Sequence, residues 1–233
     1  MDNESGERCE WFLLNVKPEG AMGVPRWLQV GVLAAGGYVL ALALTQNWRN
    51  NWGATPEEIA ETLPGDEQMD YAGANHAITI QAPVETVWAW LAQIGQDKAG
   101  FYSYSFLENM VLADIHNADK LVPEWQQIRA GDYIRLASKK VYGDTPLLKI
   151  GALEPNHYLV LEGWGTFVVR PVDSNTTRMI IRSHGKRLPL PAQVLKWLFF
   201  DLAHFIMERE MLRGIKKRAE STGSSPTSTP PTT

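Results

Sequence analysis

The sequence predicts an α+β domain, an antiparallel sheet wrapped around a long C-terminal helix, behind one N-terminal transmembrane helix. Three observations carry this prediction. From Trp27 to Thr45 no side chain is charged, and at about 1.5 Å per helical residue this run reaches roughly 28 Å, close to the hydrocarbon thickness of a bilayer. Between Tyr133 and Ser183, short strand-like stretches alternate with turn residues, the spacing of an antiparallel meander. From Ala192 to Glu220 the chain has no proline and only Gly214 as glycine, which predicts one long helix.

In the apolar run only Gln29 is strongly polar, so it lacks the polar face of a core helix. Ala41-Leu42-Ala43 offers the small-x-small pattern of a cleavable signal peptide. Against cleavage, the preceding segment carries Asp2, Glu4, Glu7, Glu10 and Glu19, and the run exceeds the usual ~7–15 apolar residues. The expectation is therefore an uncleaved single-pass anchor. Arg8, Lys17 and Arg26 precede the span and Arg49 alone follows closely, so the positive-inside bias places the amino terminus inside and the domain extracytoplasmic.

These features divide the 233 residues into an N-terminal tail (1–25), a transmembrane helix (26–46), a linker with a short helix (47–74), a folded domain (75–220) and a disordered tail (221–233). The last segment contains only Ser, Thr, Pro and Gly. A net charge of −4 and no basic stripe give no reason to expect nucleic acid. Cys9, the single cysteine, lies outside the domain, which excludes a disulfide framework and a cysteine metal site. No cofactor and no metal are expected.

Past the anchor, Trp48 and Trp52 sit where an interfacial aromatic belt would lie. Thr55-Pro56-Glu57-Glu58 is a helix start with a capping box, and Leu63-Pro64-Gly65-Asp66 stops it. A strand is predicted over His76–Ile80. A helix opens after Pro83, with Val84, Val87, Trp88 and Leu91 on one stripe and Gly95 as its stop. Ser105-Phe106-Leu107-Glu108 reads as a second capping box. Strands follow over Tyr133–Ala137, Leu147–Leu153, His157–Glu162, Thr166–Pro171 and Thr176–Ser183, divided by Ala130-Gly131-Asp132, Glu154-Pro155-Asn156 and Asp173-Ser174-Asn175. A sheet curved around the terminal helix leaves an elongated space between them, a place for a ligand.

The run from Val87 through Gly95 to Tyr104, continued by Leu107-Glu108-Asn109, Asn117-Ala118-Asp119, Pro123-Glu124-Trp125-Gln126 and Gly131-Asp132, resembles the START-like superfamily, also called SRPBCC, of polyketide cyclase/dehydrase and lipid-transport type. Met207-Glu208-Arg209 and Met211 to Lys216 are similar to the terminal helix of a bacterial group within it. The resemblance covers about residues 75 to 220. It implies a helix-grip fold and, since the superfamily includes carriers, receptors and enzymes, leaves the activity open.

Candidate ligand-binding residues are Trp88, Tyr102, Tyr104, Trp125 and Trp164, aromatic groups several of which carry a polar tip, with Phe205 on the terminal helix. Glu108 and Glu208 would form a carboxylate pair if both reach the cavity, although capping accounts for Glu108 and a solvent-facing or Arg-paired place for Glu208. Asp114 and His116 have a ligand-like spacing without an evident third ligand. His184 and His204 read as ordinary histidines, and strand alternation puts Arg178, Ile180, Arg182 and His184 on a mostly solvent-facing side. The leading expectation is a membrane-anchored domain that binds a lipid or other hydrophobic small molecule. The alternatives are a cyclase- or dehydratase-like enzyme using carboxylate and tyrosine groups, and a membrane scaffold with an exposed patch at Trp197, Phe199 and Phe200.

Overall fold

A computed structural model describes residues 25–223. The N-terminal tail with Cys9, Arg8 and Lys17, and the Ser/Thr/Pro tail past Gly223, lie outside the described residues. The chain divides into a unit ending at Ala43 and a unit beginning at Leu44. Helix α1 (Arg26–Asn50) is long and apolar enough to cross a bilayer. Its last turns belong to the second unit, where they meet the domain.

The capping box at Thr55 forms as the sequence predicts: the Glu58 amide donates to Thr55 Oγ1, and the Thr55 amide to Glu58 Oε2. It opens the short helix α2 (Pro56–Ala60). Strand β1 (Tyr71–Ile80) starts ahead of the predicted His76, because Asp70 and Tyr71 already pair with Gly185. Helix α3 (Val84–Ala92) and helix α4 (Ser105–Met110) follow, then β2 (Tyr133–Arg135), a short turn of helix α5 (Lys139–Tyr142), β3 (Leu147–Glu154), β4 (Tyr158–Leu161), β5 (Gly165–Asp173) and β6 (Thr176–Gly185). The strands make one antiparallel sheet in the order β1-β6-β5-β4-β3-β2.

The terminal helical run begins at Leu190, two residues before the predicted start. It comprises α6 (Leu190–Leu195), a π-helical stretch over Lys196–Phe200, and α7 (Asp201–Gly223). It also passes Glu220, the predicted end, and Thr222 Oγ1 accepts a hydrogen bond from Trp90 Nε1. A buried indole N–H needs such a partner. Helices α3 and α7 pack against each other and against the sheet, and Val87, Leu91, Phe167, Met179, Ile181, Leu212 and Ile215 fill the space between. This is the helix-grip arrangement.

Three expectations are corrected. Ser105 is not a cap: Tyr104 takes the N-cap position of α4 without a side-chain bond, so Glu108 is not engaged in a capping box. Arg182 does not face solvent. The linker folds across that side of the sheet, with Leu63 packed on Ala77, Val168 and Ile180. Beneath it Arg182 donates to Asn75 Oδ1, to Asp66 Oδ2 and to the carbonyls of Glu58, Ile59 and Glu61 at 2.7–3.0 Å. Alternation places a side chain on a face, and a covering segment then decides whether that face is wet.

Trp52 is likewise part of the domain rather than a belt residue. It packs half-buried on the core beneath the guanidinium of Arg209, 5.1 Å from its ring centroid. Trp48 stays exposed, edge-on to Phe205.

Candidate functional site

Between the start of α7, α4 and the sheet edge lies a cavity of about 580 Å³, within the range of ~300–1,000 Å³ typical of small-molecule sites. Phe101, Leu136, Leu148, Trp164, Phe205, Met207 and Met211 give it an apolar wall. His76, Ser103, Glu108, His204 and Glu208 supply the polar groups, and Leu188, Phe200 and Ala203 are exposed lining residues at its opening.

Glu208 is the buried anchor of the polar end. His76 Nδ1 donates to its Oε1 at 2.6 Å, Trp164 Nε1 donates to its Oε2 at 2.9 Å, and His204 Nε2 stands 3.5 Å from Oε2. Burial pushes the carboxyl up, but the charge of His204, the bond and charge of His76, and the Trp164 bond outweigh it and hold Glu208 at about 2. His76 is tied on its other side as well, with Nε2 at 2.8 Å from the carbonyl of Arg49 in the last turn of α1. Both ring nitrogens thus face oxygen atoms, one of a carboxyl and one of a carbonyl. The same ring therefore satisfies one of the carbonyls left free at a helix end.

Glu108 is the opposite case. It lines the same cavity, its Oε2 is buried with no hydrogen-bond partner among the described residues, and burial raises it to about 7. The two carboxyls are thus driven apart by their surroundings, one ionised and tightly held, the other close to neutral protonation and unengaged.

Trp164 joins these groups to the apolar wall, edge-on to Phe167 and tilted on Phe101. His204, stacked on Phe200 at 5.4 Å, lines the cavity beside Glu208. Neither His76 nor His204 was singled out as a site residue by sequence. For His204 a signal existed, since His204 and Glu208 share one helix face at i and i+4. His76 is brought in only by tertiary packing. His184 also reaches the cavity wall, but its ring lies under the linker, with Nε2 3.2 Å from Thr166 Oγ1.

Of the predicted ligand residues, the structure brings Glu108, Trp164, Phe205 and Glu208 together around the cavity. Trp88, Tyr102, Tyr104 and Trp125 lie outside its lining. Trp88 is buried in the core, Trp125 packs half-buried against it, and Tyr104 is exposed ahead of α4. Tyr102 is engaged elsewhere: its hydroxyl donates to the Trp90 carbonyl and accepts from Gln93 Nε2, and burial raises its phenol well above the ordinary value. Asp114 and His116 bond each other at the surface at 3.0 Å.

No protein-family model and no curated protein matches this sequence. Several solved structures are similar to it, among them the following three. CalC from Micromonospora echinospora, described as a self-sacrificing resistance protein, is 10% identical over 65% of this chain and 96% of its own, with a TM-score of 0.41. A conserved protein of unknown function from Enterococcus faecalis is 13% identical over 66% of this chain and 75% of its own, with a TM-score of 0.36. A Polyketide_cyc-like protein from Corynebacterium glutamicum is 14% identical over 64% of this chain and 92% of its own, with a TM-score of 0.32.

Proposed function

We propose that this protein is a membrane-anchored binding domain for a hydrophobic small molecule with one polar end. The observation that carries the reading is the cavity itself: an apolar wall in which Glu108 has a buried, unpartnered carboxyl oxygen beside the fully engaged Glu208. Leaving a buried polar atom unpaired costs about 1–3 kcal/mol, and a ligand donor or acceptor that reaches Glu108 recovers that cost on binding. The apolar wall contributes affinity in proportion to the ligand surface removed from water. Helix α1 holds the domain at the membrane, where such molecules partition.

The test is extraction of the full-length protein, purified from its host in mild detergent, into organic solvent, with mass spectrometry of the extract. A stoichiometric apolar compound is expected from the wild type. It should be lost from Leu148→Trp, in which the indole fills the cavity. Recovery of the same compound in equal amount from both proteins would refute the reading.

One observation favours a second reading, acid–base chemistry on the bound molecule: the cavity carries a carboxyl raised to about 7 and one lowered to about 2. Ligand recovered after incubation of the protein in D2O should then carry deuterium at exchangeable carbon positions, in the wild type but not in Glu108→Gln. A ligand of unchanged mass would dismiss the catalytic reading and leave the binding one.

A further inference from the structure

We infer that the cavity's opening is set against the lipid surface: the segment from Leu188 to Phe200 and the outer side of α4 rest in the bilayer interface, so that the cavity opens onto lipid rather than water. The inference rests on α1 spanning the membrane, as proposed above.

The first observation is two exposed apolar patches that border one cavity. On one side Leu190 is 76% exposed, Phe199 64% and Phe200 57%. On the other, Phe106 is 70% exposed and Met110 68%. Glu108 from the second patch and Leu188 and Phe200 from the first line the same cavity. Apolar surface of this extent mostly marks a protein or membrane contact.

The second observation identifies the occupant. Trp197 Nε1 donates to Gln46 Oε1 at 3.1 Å, and Gln46 directly follows the apolar run of α1 that ends at Thr45. Where that helix leaves the hydrocarbon, the 188–200 segment is therefore hydrogen-bonded to it. An indole at that level is in the position such groups favour at a membrane surface. Arg187 directly precedes Leu188, and a long cationic side chain reaches to headgroups while its apolar neighbours enter the acyl region.

The experiment uses the full-length chain in nanodiscs of phosphatidylethanolamine and phosphatidylglycerol. In a Cys9→Ser background, single cysteines at Phe199, Met110, Leu33 and Val172 carry a polarity-sensitive fluorophore, and a fraction of the lipid carries an acyl-chain quencher. Val172 is the aqueous control: it is exposed at the β5–β6 turn, the far end of a ten-residue strand from Gly185, about 30 Å along the sheet. Labels at Phe199 and Met110 should be quenched at least half as strongly as the label at Leu33, and several-fold more than the label at Val172. Adding Leu195→Asp should reduce quenching at Met110 to the Val172 level.

Quenching at Phe199 and Met110 equal to Val172, with Leu33 quenched, would overturn the inference while the anchor stands. An unquenched Leu33 would remove the anchor and the inference together. Shielding of Phe199 that appears only with two copies per disc would assign the patch to a second copy and also overturn it. The readout requires no ligand, so failure of the ligand reading leaves it intact.

Discussion

Replacing Glu208 by glutamine removes one charge and almost no volume, so its effect isolates the electrostatics of the buried cluster. The carboxylate holds His76, Trp164 and the approach of His204, and the residue is 2% exposed. Two routes give the size of the effect. A carboxyl held at about 2 instead of 4.5 corresponds to about 3 kcal/mol of stability at neutral pH. Breaking a buried pair by removing one partner costs about 3–5 kcal/mol, because the other charge is left uncompensated. The sign with pH follows from the lowered value: the contribution is fully present above about pH 5 and is lost as pH falls toward 2. Urea unfolding of the full-length protein in detergent, followed by tryptophan fluorescence, should show Glu208→Gln less stable than wild type by about 3 kcal/mol at pH 7. The gap should narrow between pH 5 and 3. A gap under about 1 kcal/mol at pH 7, or one that widens on acidification, would refute the ionised, paired Glu208.

Glu108 carries the opposite dependence. Its raised value makes the folded state lose stability as pH rises from about 4.5 through 7, so Glu108→Gln should gain about 1–2 kcal/mol over wild type at pH 8, discounted for its partial exposure, and nothing at pH 4; unfolding at both pH values reads this. Gly214→Ala should be severely destabilising, since a Cβ there would stand 2.1 Å from the Tyr102 carbonyl oxygen and 2.7 Å from its Cβ. A cost above about 3 kcal/mol corresponds to a fall in melting temperature of roughly 6–12 °C. Arg182→Met should leave the linker's carbonyls without their donor and Asp66 without its charge partner, costing about 3–5 kcal/mol, and limited proteolysis should then cut between Glu57 and Gln68 first. Unchanged protease resistance of that segment would show that the guanidinium does not hold it.

The sequence pattern was most legible where structure is local. The strand stretches recur within one or two residues from β3 to β6, because alternation and turn residues act over short distances. The capping box at Thr55 forms and the one at Ser105 does not, although both share the same residue pattern. At Ser105 the chain enters the helix one residue early, and Glu108 lines the cavity instead. Which residues the cavity collects was partly legible: Glu208, Trp164 and Phe205 could be named, whereas His76 could not, because its role comes from a neighbour far off in the chain.

Several of the resemblance residues are architectural. Gln93 is fully buried and bonds Tyr102, Lys120, Val122 and Gln126, while Asn117 bonds the backbone of Tyr102 and Ser103. Arg218 lies over the Tyr102 ring at 4.8 Å and donates to Ala118 and Asp119. Together they fasten the long loop before β2 to the terminal helix. Motif density there marks a fastening that fixes the cavity's wall; Ser103, Glu108 and Glu208 from the same motifs, with His76 and His204 from outside them, supply its polar groups.

The most direct test of the central claim is an experimental structure of the native full-length protein, purified from its host in mild detergent without added ligand. The account predicts continuous density for an elongated molecule between Trp164, Phe205 and Met211, with a polar atom within about 3.2 Å of a Glu108 carboxyl oxygen. A cavity closed by side chains, or one holding only ordered water around Glu108, would contradict it.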